Sequence, residues 1–225
     1  MSAPETAVIV GAGGGIGAAL VEALREEGTA VRGFARGELD VIDEGSIAAA
    51  ASGLTVAPTL VVVATGLLHD GELGPEKAMR ELDPAWMARN FAVNAIGPAL
   101  IAKHFLPRMP KAGRCVFAVL SARVGSIGDN RLGGWYGYRA SKAALHQLVR
   151  TLAVEEKRRN DRSIVVALHP GTVDTKLSAP FGANVRADQL FAPGRAAVQL
   201  LDVIDGLKAP DSGRIFGWDG VEITP

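Results

Sequence analysis

Tyr138 and Lys142 stand four residues apart in the run Trp135-Tyr136-Gly137-Tyr138-Arg139-Ala140-Ser141-Lys142, which also holds both tyrosines of the chain. On a helix that spacing puts the two side chains on one face. A phenol ordinarily gives up its proton near pH ~10. A fixed ammonium beside it favours the phenolate and brings the proton within reach nearer neutrality. Such a group can give a proton to a carbonyl oxygen or take one from an alcohol. The spacing alone is common on helix surfaces. Its meaning depends on what the rest of the chain brings to it.

The second group of chemical interest is Gly11-Ala12-Gly13-Gly14-Gly15-Ile16-Gly17. It follows an apolar, β-branched run and opens a helical pattern. Glycines there let backbone approach a pyrophosphate, and the helix start supplies aligned N–H donors. The candidates for cofactor contact are Gly11, Gly14, Gly15, Ile16 and Gly17, spaced G-x-x-x-G-x-G. In such folds an acid about twenty residues on holds the ribose 2′-hydroxyl of NAD. Here that region reads Phe34-Ala35-Arg36-Gly37, with a guanidinium in place of an acid. A guanidinium suits a 2′-phosphate. NADP(H) is therefore preferred over NAD(H). Arg36 could instead be a solvated loop residue, and Asp40 would weaken the inference if the second strand ran further.

These groups need elements to position them. Strands are expected at 6–10, 30–35, 59–64, 114–120, 163–168 and 213–218. Helices are expected at 16–27, 43–52, 84–107, 138–159 and 194–206, with Asp43 as an N-cap. The strands are solid apolar runs and alternate with helices. Both features point to an α/β fold, a Rossmann-type doubly wound parallel sheet with helices on both faces. No linker or break in composition divides the 225 residues, so one domain spanning 1–225 is expected. Segment 175–193 lacks periodicity and reads as a lid over a ligand.

Composition excludes several functions. Lys and Arg number 24 and so do Asp and Glu, which gives no electrostatic case for nucleic acid or an anionic membrane. No apolar run approaches the ~20 residues of a membrane span. The chain moves from Met1 to a strand without the basic start and apolar stretch of a signal peptide, so a cytoplasmic location is expected. Cys115 is the one cysteine and sits in an apolar strand pattern, which rules out an intrachain disulfide. His69, His104, His146 and His169 lie in different elements without metal-ligand spacing, so no metal is expected. Ser121 is not in G-x-S-x-G, which argues against a hydrolase.

The glycine loop and the Tyr138–Lys142 pair together resemble the short-chain dehydrogenase/reductase family over nearly the whole chain. Further motifs agree. Ala64-Thr65-Gly66 resembles the family's Asn-Asn-Ala-Gly beside the adenosine, and Asp40-Val41 the pair that meets the adenine. Asn94 matches the family's helix asparagine, and Ser121 ends a strand where the family places a serine. Pro170-Gly171-Thr172-Val173-Asp174-Thr175 matches the Pro-Gly turn near the nicotinamide, with Pro170, Gly171, Val173 and Thr175 as contacts. The run 133–142 and the ending Ile-Phe-Gly-Trp-Asp-Gly are similar to the C-factor-like and sniffer-like carbonyl reductases.

The resemblance implies hydride transfer between NADP(H) and a carbonyl or secondary alcohol. Tyr138 would exchange the proton. Lys142 would lower its pKa and hold the ribose, Ser121 would orient the substrate oxygen, and Asn94 would hold a relay water. Ala64 and Thr65 depart from the family's two asparagines. A one-residue slip would put Ala122 in the place of Ser121, with Ser126 as a substitute. The loop 129–134 is longer than usual, and Trp135 could wall the substrate mouth or simply pack. A second reading is a dinucleotide-binding signalling or regulatory protein of C-factor type. The helices 86–106 and 138–159 resemble those that pair in relatives, so a homodimer or homotetramer is expected.

Overall fold

The computed structural model describes residues 6–180 and 189–225. Six strands form one parallel sheet: β1 Thr6–Val10, β2 Ala30–Phe34, β3 Leu60–Val63, β4 Cys115–Leu120, β5 Ser163–His169 and, at the far edge, β8 Ile215–Gly217. Their order is β2-β1-β3-β4-β5-β8. The order reverses direction between β1 and β3, and ligands of open α/β sheets bind at the carboxyl ends of strands at such a point.

Successive residues of each strand point into opposite layers, which is why the strands read as unbroken apolar runs. Val8, Val61, Phe117, Val119 and Val165 meet Ile47, Ile101, Phe105, Leu145 and Val149 on one side. These belong to α2 Glu44–Ser52, α4 Gly97–Phe105 and α5 Tyr136–Arg159. Ile9, Val62, Ala118, Leu120 and Leu168 meet Leu20, Leu24, Leu200 and Ile204 on the other. Those side chains come from α1 Gly15–Glu26 and α6 Pro193–Gly206. The Asp43 side chain accepts from Gly45 N at 2.9 Å and caps α2 as expected.

Three features differ from the sequence expectation. The single helix expected over 84–107 is broken into α3 Pro84–Phe91, a π-helical turn Ala92–Ile96, and α4. Pro98 has no N–H for the carbonyl four residues before it, that of Asn94, so the regular ladder cannot continue there. Second, α5 begins at Tyr136, two residues before Tyr138. Third, β6 Thr172–Val173 pairs in parallel with β7 Leu190–Phe191, inside and beside the segment expected to lack structure. Of the lid expected over 175–193, positions 181–188 lie outside the described residues.

The chain after β8 turns back on it. Gly217 N donates to Val221 O at 2.8 Å and Ile223 N to Ile215 O at 2.8 Å.

Candidate active site

The glycine loop leaves β1 at the reversal point. Gly11 N and Ala12 N both donate to Phe34 O, at 2.9 and 3.0 Å, which ties the loop to the end of β2. Gly14 precedes α1 and offers no side-chain cap, and the first turn carries no acid. The first N–H groups of α1, from Gly15, Ile16 and Gly17, therefore have no partner within the helix. A Cβ on Gly17 would lie 2.1 Å from Gly11 O, so only glycine lets the loop close this tightly. A Cβ on Gly15 would meet Thr175 Cγ2 at 2.7 Å, which places Thr175 directly against the loop. Ile16 packs with buried Val173 and Phe191 below it.

Ala64, Thr65 and Gly66 continue β3 next to this loop. Ala64 N donates to Val10 O at 2.8 Å. The Thr65 hydroxyl is buried without a hydrogen-bond partner, a polar atom aimed at nothing the chain supplies. Arg36 is exposed two residues beyond β2, in the turn where Glu38 holds Ala35 N at 3.1 Å and Arg32 at 3.0 Å. Arg36 itself makes no ion pair among the described residues. Asp40 caps locally, accepting from Ile42 N at 3.1 Å, and Val41 lies against Gly97. Pro170 and Gly171 follow β5, where a Cβ on Gly171 would meet Phe191 at 2.7 Å. An uncapped helix start, a loop too tight for a Cβ, an orphaned hydroxyl and a free guanidinium together fit a phosphorylated dinucleotide.

Asn94 sits fully buried in the π-turn. Its Oδ1 accepts from Leu67 N at 2.8 Å, and its Nδ2 donates to Leu67 O at 2.8 Å and to Ser141 Oγ at 3.1 Å. Ser141 Oγ in turn donates to Tyr138 O at 2.8 Å. The asparagine thus stitches the segment after β3 to the first turns of α5. π-turns inside helices are often found at functional sites.

Tyr138 and Lys142 share the inner face of α5, and Lys142 Nζ lies 5.8 Å from the centre of the Tyr138 ring. The ammonium donates to Leu120 O at 3.0 Å. Both residues are buried, and burial dominates their electrostatics. It raises the Tyr138 phenol above its ordinary value and lowers Lys142 to about 8. The ammonium does not by itself offset the desolvation of the phenol. Tyr138's hydroxyl makes no hydrogen bond among the described residues. Gly66 marks where these groups converge: a Cβ there would lie 3.7 Å from Asn94 Oδ1 and 3.9 Å from Lys142 Nζ.

Ser121 is buried, and its Oγ lies 2.7 Å from His146 Nε2. The structure joins it to His146 and not to Tyr138. Ala122 is half-buried beside it, and Ser126 Oγ accepts from Asp129 N at 3.1 Å in a local turn. His146 sits one turn beyond Lys142 on the same stripe. Burial and the Lys142 charge lower its pKa to about 4, and its Nδ1 has no partner. His169, at the end of β5, is lowered to about 4 first by burial and then by Arg123.

Sequence reasoning missed His146 as the partner of Ser121. It missed Glu76 entirely. Glu76 is a buried carboxylate at the start of α5, accepting from Gly137 N at 3.3 and 3.1 Å. Its buried state on a polar loop leaves no periodic signal.

A family model described as enoyl-(acyl carrier protein) reductase matches residues 21–199. The chain is 31% identical to 1-hydroxy-2-glutathionyl-2-methyl-3-butene dehydrogenase of Rhodococcus sp. (strain AD45), over 81% of this chain and 76% of that protein. It is 36% identical to the C-signal of Myxococcus xanthus, over 65% of this chain and 82% of that protein. Among solved structures, the NADPH-bound carbonyl reductase from chicken fatty liver superposes with a TM-score of 0.83 at 22% identity, covering 98% of this chain and 99% of that one. The carbonyl reductase Sniffer of D. melanogaster does so with a TM-score of 0.79 at 19% identity, covering 98% and 99%. The chain belongs to the short-chain dehydrogenase/reductase family, a family of oxidoreductases.

Proposed function

We propose that the chain is an NADP(H)-dependent oxidoreductase that interconverts a carbonyl and a secondary alcohol, with Tyr138 as the proton donor and acceptor. The observation that carries this reading is the convergence of Asn94 and Lys142 at Gly66, beside Tyr138 and next to the glycine loop. The bound dinucleotide would supply or accept the hydride. The loop from Gly11 to Gly17 would hold the pyrophosphate, with Thr175 against it. Arg36 would take the 2′-phosphate, and Asp40 and Val41 would border the adenine. Ala64, Thr65 and Gly66 would line the adenosine side, while Pro170, Gly171 and Val173 would back the nicotinamide.

The proton path starts at the Tyr138 hydroxyl, which has no competing partner among the described residues. Lys142 would hold the ribose hydroxyls and bias the phenol toward ionisation, and positive charge arriving with the oxidised nicotinamide adds to that bias. Asn94 would hold the backbone around Leu67 and a water that relays the proton through Lys142. Ser121 has its hydroxyl already engaged by His146. We therefore assign it to the wall beside the substrate oxygen rather than to proton transfer.

A panel of aldehydes and ketones with NADPH and with NADH tests this. Turnover is expected with NADPH in preference to NADH. Tyr138→Phe is expected to lower kcat by about 1000-fold with the NADPH Kd unchanged. Full turnover in that variant would defeat the assignment. The likeness to a protein named for a signal favours a second reading, a dinucleotide-binding signalling protein. Tight NADPH binding with no turnover across the panel would select it.

A further inference from the structure

The start of α5 is built in an unusual way. Gly133, Gly134 and Trp135 have φ of 63°, 64° and 53°, three successive residues in the left-handed region. Trp135 is the one non-glycine residue with positive φ among the described residues. For a bulky side chain this conformation is costly, and it persists only where the surroundings impose it. Trp135 also occupies the N-cap of α5, where an indole has no acceptor for the free N–H groups.

Glu76 answers both problems. Its side chain is buried, and the carboxylate accepts from Gly137 N at 3.3 and 3.1 Å, which supplies the missing cap from 61 residues away. Its backbone carbonyl accepts from Trp135 N. From the other side, Arg139 Nε donates to Gly134 O at 3.1 Å. The turn is therefore gripped at 134, 135 and 137. Its product is the placement of the Trp135 ring edge-on to Tyr138, with centroids 6.2 Å apart and planes at 75°.

We propose that Glu76 is a positioning residue for the candidate site. Its carboxylate and carbonyl hold the left-handed turn, so that Trp135 stands as a fixed wall beside the Tyr138 phenol and favours substrates with an aromatic substituent on the carbonyl carbon. This rests on Tyr138 being the proton donor. The clamp acts through hydrogen bonds, so an amide that still accepts from Gly137 N replaces it, and a methyl does not. An aromatic substituent meets the indole in an edge or offset contact that a small aliphatic group cannot make.

The test reads structure and specificity separately. Amide hydrogen exchange at Gly137 is measured in full-length wild type, Glu76→Gln and Glu76→Ala. Protection is expected in the first two and lost in the third. Steady-state rates are measured with acetophenone and with 2-butanone. For Glu76→Ala the kcat/KM for acetophenone is expected to fall by roughly tenfold or more with the NADPH Kd unchanged, and Glu76→Gln to stay near wild type. Trp135→Gly keeps the turn, because glycine takes the left-handed region freely. It is expected to raise the KM for acetophenone by about tenfold and that for 2-butanone by far less, so that the preference for the aromatic ketone is lost. If Glu76→Ala does not fold, Gly137→Ala substitutes, since its Cβ would sit 2.9 Å from Glu76 Oε1 and unseat the clamp. Unchanged Gly137 protection in Glu76→Ala, or a Glu76→Gln variant as impaired as Glu76→Ala, overturns the proposal. A wild type that reduces no carbonyl overturns the reading of Tyr138 instead, and the exchange measurement still judges the clamp.

Discussion

The Ser121 hydroxyl and the His146 ring form one buried unit, 2.7 Å apart. Removing the hydroxyl leaves His146 with neither nitrogen bonded, because Nδ1 already lacks a partner. Ser121→Ala is expected to cost about 1–3 kcal/mol in urea unfolding. His146→Leu in the same background should then cost less than it does alone, as expected for groups in direct contact. Turnover of Ser121→Ala should fall by less than about tenfold, well short of the loss in Tyr138→Phe. A loss as large as that of Tyr138→Phe would return Ser121 to the proton path. Tyr138 and Lys142 were legible in the sequence because a helix converts a spacing of four into a shared face. Ser121 was legible as a residue but not in its bonding. Its partner lies 25 positions away, and no local rule links the end of a strand to the third turn of a later helix.

The π-turn at Ala92–Ile96 shows how one side chain can tie an element to a distant segment. Asn94 satisfies both Leu67 N and Leu67 O, which no regular element pairs. Asn94→Ala orphans both groups and is expected to cost about 2–4 kcal/mol. It should also lower turnover, because Ser141 and the first turns of α5 lose their tie to the segment after β3. Chemical unfolding and single-turnover rates together read the two effects; a stable variant with full activity would show that Asn94 is dispensable. The strands of the main sheet and the helices flanking it were legible because solid apolar runs alternate with helically spaced ones. The break inside 84–107 was not, since Ala92-Val93-Asn94-Ala95-Ile96 keeps the apolar spacing of its neighbours. The signal that could have found it was Pro98, four residues after Asn94. Strands β6 and β7, two residues each, are too short for any period to register.

At the scale of the molecule, two histidines, His146 buried and His169 half-buried, weaken the fold on the acid side. His146 and His169 are both lowered from 6.5 to about 4 in the folded chain. The unfolded chain takes up their protons first as the pH falls. Stability is therefore lost progressively from about pH 6.5 down to about pH 4 and is unaffected by these groups above that window. Between pH 7 and pH 5 the loss from His146 should be roughly 2 kcal/mol. Urea unfolding at the two pH values measures it, and an equal slope in His146→Asn would exclude His146 as the cause. The layered sheet was legible in outline, because alternation of strands and helices permits few topologies. Strand order was not, because it depends on which crossovers pack, information that no single segment carries. The return of the chain over β8 has a consequence at this scale too. An outer strand with open backbone groups is a template on which a second chain can add. Here Gly217 N and Ile215 O are already taken by Val221 O and Ile223 N, so a second chain would have to displace the molecule's own tail before it could pair with β8.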